Sequence, residues 1–354
     1  AGLNVRTNFT PPSDFVMPLR ELVKEGKVSE ETIDERVRDV LRVKFRLGLF
    51  DEPYVEDPAR ADELVNNEEA QKLALRASRE SIVLLKNKNN TLPLNPDDMN
   101  SLLVTGPMSK RVDHSISRYG PTQIDVISAF EGIQTAAEGN FTVEYAEGSP
   151  VIGETWPNSE IIIPEAPSKE AQDMIDEAVE KARGKDAVLA FLGETEKMVG
   201  ESRSRTGLDL PYVQQQLIKE LHKTGTPVIL VLLNGRPLTV NWADANLPAI
   251  VEAWNPGIMS GKAIADVIFG EYNPSGKLPI TFPKTVGQIP LNFPYKPGSH
   301  DPQSEWQGYE SERGTRVEGE LYPFGHGLSY TQFSYDNINI TPDSTHSQGT
   351  IRVE

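Results

Sequence analysis

The chain has no cysteine among its 354 residues. Disulfides, thiol nucleophiles and zinc–thiolate sites are therefore excluded. Basic residues are scarce beside acidic ones: Lys and Arg total 35 against 52 Asp and Glu, a net charge of −17. Phosphate binding draws its affinity from basic stripes, so this surface argues against a nucleic-acid partner and suits a protein acting on neutral small molecules. No apolar run approaches the roughly 18 residues of a membrane span, so no membrane partner is expected. No G-x-G-x-x-G follows a strand, and there is no phosphate-binding loop, H-E-x-x-H, paired-histidine spacing or G-x-S-x-G elbow. Neither a cofactor nor a metal is expected.

What is present suits a globular protein. Hydrophobic residues make up 38%, enough for one large or two medium cores. Glycine and proline, 27 each, are spread along the chain rather than clustered, unlike a low-complexity segment. The chain opens at Ala1 with no signal peptide and stops at Ile351-Arg352-Val353-Glu354 within a strand-like alternation. Both ends are read as cuts, so the missing signal peptide is silent about location.

Residues 17–26 read as a short helix stopped at Gly26. Ser29 caps a second helix, with Glu30 and Glu31 in its first turn and an apolar stripe of Ile33, Val37, Val40 and Leu41, ending at Gly48. The acidic stretch 51–66 reads as a linker. Beyond it helices alternate with apolar strands: helix 68–80, strands 82–85 and 102–105, helix 168–183, strand 187–192, helix 212–223, strand 228–233, strand 250–253 and helix 260–268. Residues 277–282 are expected as an edge strand. Strands buried on both faces between helices predict an α/β domain with a parallel sheet over 67–290. Residues 291–332 read as an irregular connector, and strand-like alternation begins again near 333. No internal repeat has a fixed period.

Ligands of open α/β sheets bind beyond the carboxyl ends of the strands. Three connections leave strand ends there. One carries Arg111, His114, Arg118 and Tyr119, and a third carries Trp254, Asn255 and Pro256. The second, residues 193–210, is 18 residues long, beyond the roughly 12–15 at which a loop is usually functional or disordered. It holds Glu194, Glu196 and Glu201 beside Arg203 and Arg205. A glutamate there can serve as a proton donor if burial raises its pKa. The same residues also suit a solvated loop whose Glu and Arg side chains pair with each other. His114 and His326 stand alone, Trp254 suits a core as well as a sugar platform, and Arg236-Pro237 reads as turn punctuation.

Several segments resemble glycoside hydrolase family 3, particularly its bacterial periplasmic β-glucosidases. IDERVRDVLRVKFRLGLFD is similar to the exit of that family's (β/α)8 barrel, and RESIVLLKNKNNTLPL to the entry of its α/β-sandwich domain. NGRPLTV, AIVEAWNPGIMSGKAIADVIFGEYNPSGKLPITFP and LYPFGHGLSYTQF resemble the rest of that domain and the lead into a fibronectin type III-like module. The resemblance implies the end of a barrel over 1–50, an α/β sandwich over 67–290 and the start of a β-sandwich over 333–354.

It also implies retaining hydrolysis of β-glycosides, such as β-glucosides or small oligosaccharides, in the periplasm or outside the cell. The family's Asp nucleophile lies on the barrel, and no matching motif occurs here. The nucleophile and the barrel that carries it are expected upstream. GESRSRTGLDLP resembles the loop of the Glu acid/base, which places that role on Glu201, with Arg205 and Leu208 matching the positions after it and Glu194 as the alternative. Arg118, Tyr119 and Trp254 are implied to border the leaving group. A β-xylosidase or related exo-glycosidase and a non-catalytic carbohydrate-binding module are the rival readings, and the fragment alone is expected to be inactive. An exposed apolar patch is expected where the barrel docks.

Overall fold

A computed structural model describes residues 3–7, 9–116, 119–120, 124–161, 165–291, 293, 317, 319–334 and 336–353. The chain divides into two compact units, 1–67 and 68–354.

The first unit is helical: α1 (Ser13–Lys24), α2 (Glu30–Arg46) and α3 (Arg60–Leu64). Ser29 caps α2, accepting the Thr32 amide at 3.2 Å, and Gly48 follows it at φ +70°. α1 starts at Ser13, four residues before its expected position, and so carries Pro18 in its interior rather than in its first turn, where proline is better tolerated. Both helices are amphipathic, yet no described residue of this unit is buried. Val37, Leu41 and Val43 of α2 are 48%, 37% and 54% exposed.

The second unit runs α4 (Glu68–Ser81), β1 (Val83–Asn87), β2 (Ser101–Thr105), α5 (Asp113–Ile116), α6 (Ala129–Ala137) and β3 (Thr142–Ala146). It continues with α7 (Asn158–Ile161), α8 (Lys169–Ala182), β4 (Ala187–Gly193), α9 (Gln214–His222), β5 (Val228–Leu233) and α10 (Asn241–Asn246). Then come β6 (Ala249–Glu252), α11 (Ser260–Ile268) and the pair β7 (Ile340–Thr341) and β8 (Arg352–Val353). Six strands form one sheet in the order β1-β6-β5-β4-β2-β3. β3, β2, β4, β5 and β6 are mutually parallel.

The sheet departs from an all-parallel one at its edge, where β1 runs antiparallel to β6. Helix α6 and strand β3 also add to the sequence reading. Residues 277–282 form no strand: Phe282 makes one isolated bridge to Tyr322, because Pro279 and Pro283 lack the amides a ladder needs. β7 and β8 pair antiparallel over two residues each.

Strand alternation sends side chains to two cores. Val188, Ala190 and Leu192 of β4 with Leu230 and Leu232 of β5 meet Ile175 of α8 and Leu217 and Leu221 of α9. On the other face Leu189, Phe191, Ile229 and Val231 meet Ile133 of α6 and Ile264 and Ile268 of α11. Every residue of β4, β5 and β6 is buried. The result is an α/β sandwich.

Candidate active site

Because β2, β4 and β6 are parallel, the connections that leave their carboxyl ends emerge at one edge of the sheet. Glycine makes two of these exits. At Gly106 (φ +101°) a Cβ would lie 2.1 Å from the Phe191 carbonyl oxygen, and at Gly193 (φ +144°) 1.9 Å from that of Leu233. No side chain fits either position, so the backbone turns out of the sheet directly under the loops.

The 193–210 loop is anchored at its root by charge. Glu194 is 1% exposed. Its Oε1 accepts from Arg205 Nη1 at 3.1 Å and lies 3.2 Å from Arg236 Nε, an ion pair rather than a hydrogen bond. Arg205 also donates through Nε to Glu160 at 2.6 Å, and Arg236 donates through Nη2 to the Met198 carbonyl. Burial pushes the Glu194 carboxyl up from its ordinary range, while Arg236 and Arg205 pull it down. The two ends of the loop and the exit of β5 are thereby tied to one carboxylate. The expected Glu–Arg pairing is real, but it is buried.

Beneath this pair lies a second carboxyl. Glu252, the last residue of β6, is fully buried. It accepts from the Trp254 amide at 2.9 Å and from Asn234 Nδ2 at 3.2 Å. Burial raises its pKa well above the usual range.

Glu201 differs from both. It is exposed, in a turn between Gly200 (φ +112°) and Ser202 (φ +61°). The Tyr119 hydroxyl donates to its Oε2. Tyr119 is 66% exposed. Arg118 lies outside the described residues. Trp254 has φ +58°, and its half-buried indole packs edge-on against Phe282 at 5.8 Å.

His114 lies in the same cluster. It is 4% exposed, and burial pushes its pKa down to about 4, so the ring is neutral near pH 7. Glu196 is raised by burial and by a hydrogen bond with Asp113, and Asp113 pairs with Arg111, its Oδ1 accepting from Nε at 3.1 Å. Sequence reasoning treats Arg236, after Asn234-Gly235, as turn punctuation and His114 as isolated, and it does not single out Glu252. The available signal is position: each sits at or just beyond the carboxyl end of an apolar strand.

Among the described residues no group of three or more His, Asp or Glu side chains is arranged to hold a metal ion. No helix among them is long and apolar enough to cross a membrane.

A mostly parallel sheet with helices on both faces defines an α/β domain, and the long charge-clamped loop with its exposed glutamate is the candidate site at the sheet's carboxyl edge. Comparison with known proteins gives the family of that domain. The profile described as glycosyl hydrolase family 3 C-terminal domain matches residues 82–330. The chain is 37% identical over 351 residues to a periplasmic β-glucosidase of Salmonella typhimurium, covering 93% of this chain and 44% of that protein. It is 33% identical to a β-xylosidase of Formosa agariphila, covering 95% of this chain and 44% of the relative. A solved β-glucosidase of Erythrobacter marinus superposes with a TM-score of 0.78 at 35% identity, over 95% of this chain and 45% of that one. The β-glucosidase of Listeria innocua in complex with isofagomine gives 0.73 at 30% identity, over 91% and 42%. The chain belongs to glycoside hydrolase family 3. It spans under half the length of these relatives.

Proposed function

We propose that the complete protein is a retaining, exo-acting β-glucosidase, and that this chain supplies its acid/base, Glu201. The observation that carries this reading is the contrast between two glutamates of one loop. Glu194 is sealed against two guanidinium groups, whereas Glu201 stands exposed at the sheet's carboxyl edge with a tyrosine hydroxyl on one oxygen. A proton donor must reach its leaving group, and only the second can.

Retaining hydrolysis needs a second carboxylate roughly 5–5.5 Å from the first. The Asp nucleophile is assigned to a (β/α)8 barrel preceding this chain, with 1–50 as the barrel's last elements. Residues 333–354 are assigned as the start of a fibronectin type III-like domain. The unburied apolar stripe of α2 supports the barrel assignment, since amphipathic helices bury such faces. Glu201 then protonates the leaving oxygen in the first step and takes the proton of the incoming water in the second. Tyr119 and Arg118 are assigned to the leaving-group side, with Trp254 behind them. The fragment alone is inactive in this reading. The site of action is the periplasm or outside the cell, as for the Salmonella relative. The Formosa relative's name makes β-xylosides the competing substrate.

The test is hydrolysis of p-nitrophenyl β-D-glucoside and β-D-xyloside by the complete protein and its Glu201→Gln variant, with azide as rescue nucleophile. Turnover on the glucoside should fall about 10²–10⁴-fold in the variant, least for activated leaving groups, and azide should restore part of it. Unchanged turnover would move the acid elsewhere. No hydrolysis of any β-glycoside by the complete protein would favour a carbohydrate-binding module.

A further inference from the structure

Glu252 ends β6 with no exposed surface. An apolar side chain would fill that strand end without the desolvation that burying a carboxyl costs. Its hydrogen-bond donors are both neutral groups: the Trp254 amide reaches Oε1 at 2.9 Å and the Asn234 side chain reaches Oε2 at 3.2 Å. Neither is a cation, so the carboxyl is not there to balance a charge. Each bond instead holds a connection that leaves the sheet's carboxyl edge.

The first bond closes on Trp254. Its φ of +58° is left-handed backbone, which a bulky side chain rarely adopts. Such a conformation persists only where the surroundings fix it. Here the carboxyl fixes the backbone amide, and Phe282 packs edge-on against the indole at 5.8 Å. Asn255, the next residue, lines a small cavity that Tyr119 and Gly200 also line.

The second bond runs through Asn234. Its Nδ2 also donates to the Arg236 carbonyl at 2.7 Å. A carbonyl only accepts, so the amide nitrogen must face Arg236, and its second hydrogen is left for Glu252. This closes the Asn234-Gly235-Arg236 turn. Arg236 then pairs with Glu194 at the root of the 193–210 loop and donates to the Met198 carbonyl, three positions before Glu201. One carboxyl thus ties together the connections after β4, β5 and β6.

We propose that Glu252 is a positioning residue for the acid/base: its carboxyl sets the Trp254 backbone and, through Asn234 and Arg236, the place of the loop that carries Glu201. This rests on the assignment of Glu201 as acid/base. An apolar residue at this position would leave the Trp254 amide and the Asn234 hydrogen without acceptors. Glutamine keeps the size but turns one of the two acceptors into a donor, so it can serve only one of them.

The test compares kcat/KM for phenyl and 2,4-dinitrophenyl β-D-glucoside in the complete protein, in Glu252→Gln and in Asn234→Ala. Dinitrophenolate leaves without a proton and phenolate needs one, so their ratio reads the acid. A ratio is also independent of the fraction of folded enzyme. Asn234→Ala breaks the same link with the carboxyl left in place, and it carries the test alone if Glu252→Gln does not fold. The phenyl-to-dinitrophenyl ratio should fall about tenfold in each, within the roughly 10²-fold that a 1 Å misplacement can cost. An unchanged ratio in the folded variants, with only the melting temperature lowered, overturns the proposal and leaves Glu252 as a carboxyl that supports the fold. Failure of the underlying reading looks different: Glu201→Gln itself then leaves the ratio at its wild-type value, whatever the other two variants do.

Discussion

The two units of this chain are built from equally amphipathic helices and differ in what those helices meet. In the second, α8 and α9 press Ile175, Leu217 and Leu221 onto a sheet, and all three are fully buried. In the first, α2 carries Ile33, Val37 and Leu41 on one stripe and buries none of them. Helix pattern alone is thus no evidence of a core. Most helical stability comes from packing of the apolar face, and short helices are marginal without it. The second unit buries an apolar core on each face of its sheet, while the first presents its apolar stripe unburied.

The widest gap should appear under core truncation. Phe191 lies at the centre of β4 with no exposed surface, and Phe191→Ala should cost about 3–5 kcal/mol in urea unfolding of this chain. Val37→Ala, at a position 48% exposed, should stay within about 0.5 kcal/mol. Equal costs would mean that the first unit has a core of its own.

Acid should separate the units next. His114 is held down to about 4 in the fold, against about 6.5 in an unfolded chain. Between those values the unfolded state binds the extra proton. The contribution is complete above about pH 6.5 and is lost as pH falls toward 4, by about 3 kcal/mol in all. Glu194 and Glu252 are raised and act oppositely, losing stability as pH rises. The difference between wild type and His114→Gln isolates the histidine: the variant should lack this slope between pH 6.5 and 4. Residues 3–67 contain no histidine, so hydrogen exchange of α2 should show no such step.

Helix caps give a finer contrast. Ser128 and Glu131 form a reciprocal capping box at α6, and Ser128→Ala should lower global stability by about 1 kcal/mol. Ser29→Ala removes a similar cap from α2. Its effect should appear as faster local amide exchange, with the global transition unmoved. A shift of that transition would show that α2 unfolds with the rest.

The same contrast explains what can be read from sequence. The runs AVLAFL and VILVLL are apolar on both faces, so the period itself specifies a sheet covered twice. Ser29 with Glu30 and Glu31 marks a helix start that the structure keeps. Strand β3 is harder, because Thr142-Val143-Glu144-Tyr145-Ala146 is an edge strand with exposed and half-buried positions and carries a weak apolar signal. The antiparallel sense of β1 depends on long-range pairing with Glu252 and Val251, which no local pattern encodes. At the candidate site the long acidic loop is legible from its length and its Glu and Arg content. The buried partners are not. Arg236 reaches Glu194, 42 positions earlier, only because β4 and β5 are neighbours. His114 is joined through Ser115 to Ser260, far along the chain.

Surface charge supplies the control, and the smallest effect. Lys24–Glu21 in α1 and Lys223–Glu220 at the end of α9 are i,i+3 pairs at 2.7 and 2.6 Å, with lysine side chains 65% and 68% exposed. Exposed pairs contribute little, because water screens the attraction and ordering two long side chains costs entropy. Lys24→Ala and Lys223→Ala should each change stability by about 0.5 kcal/mol or less. Both effects should vanish in about 1 M salt, where the screening length is about 3 Å. Equal small values would place the whole difference between the units in apolar burial. A larger, salt-sensitive effect at Lys24 would mean that α1 and α2 are held by their charges instead, and the exposed stripe would then lose its force as a sign of a missing partner surface.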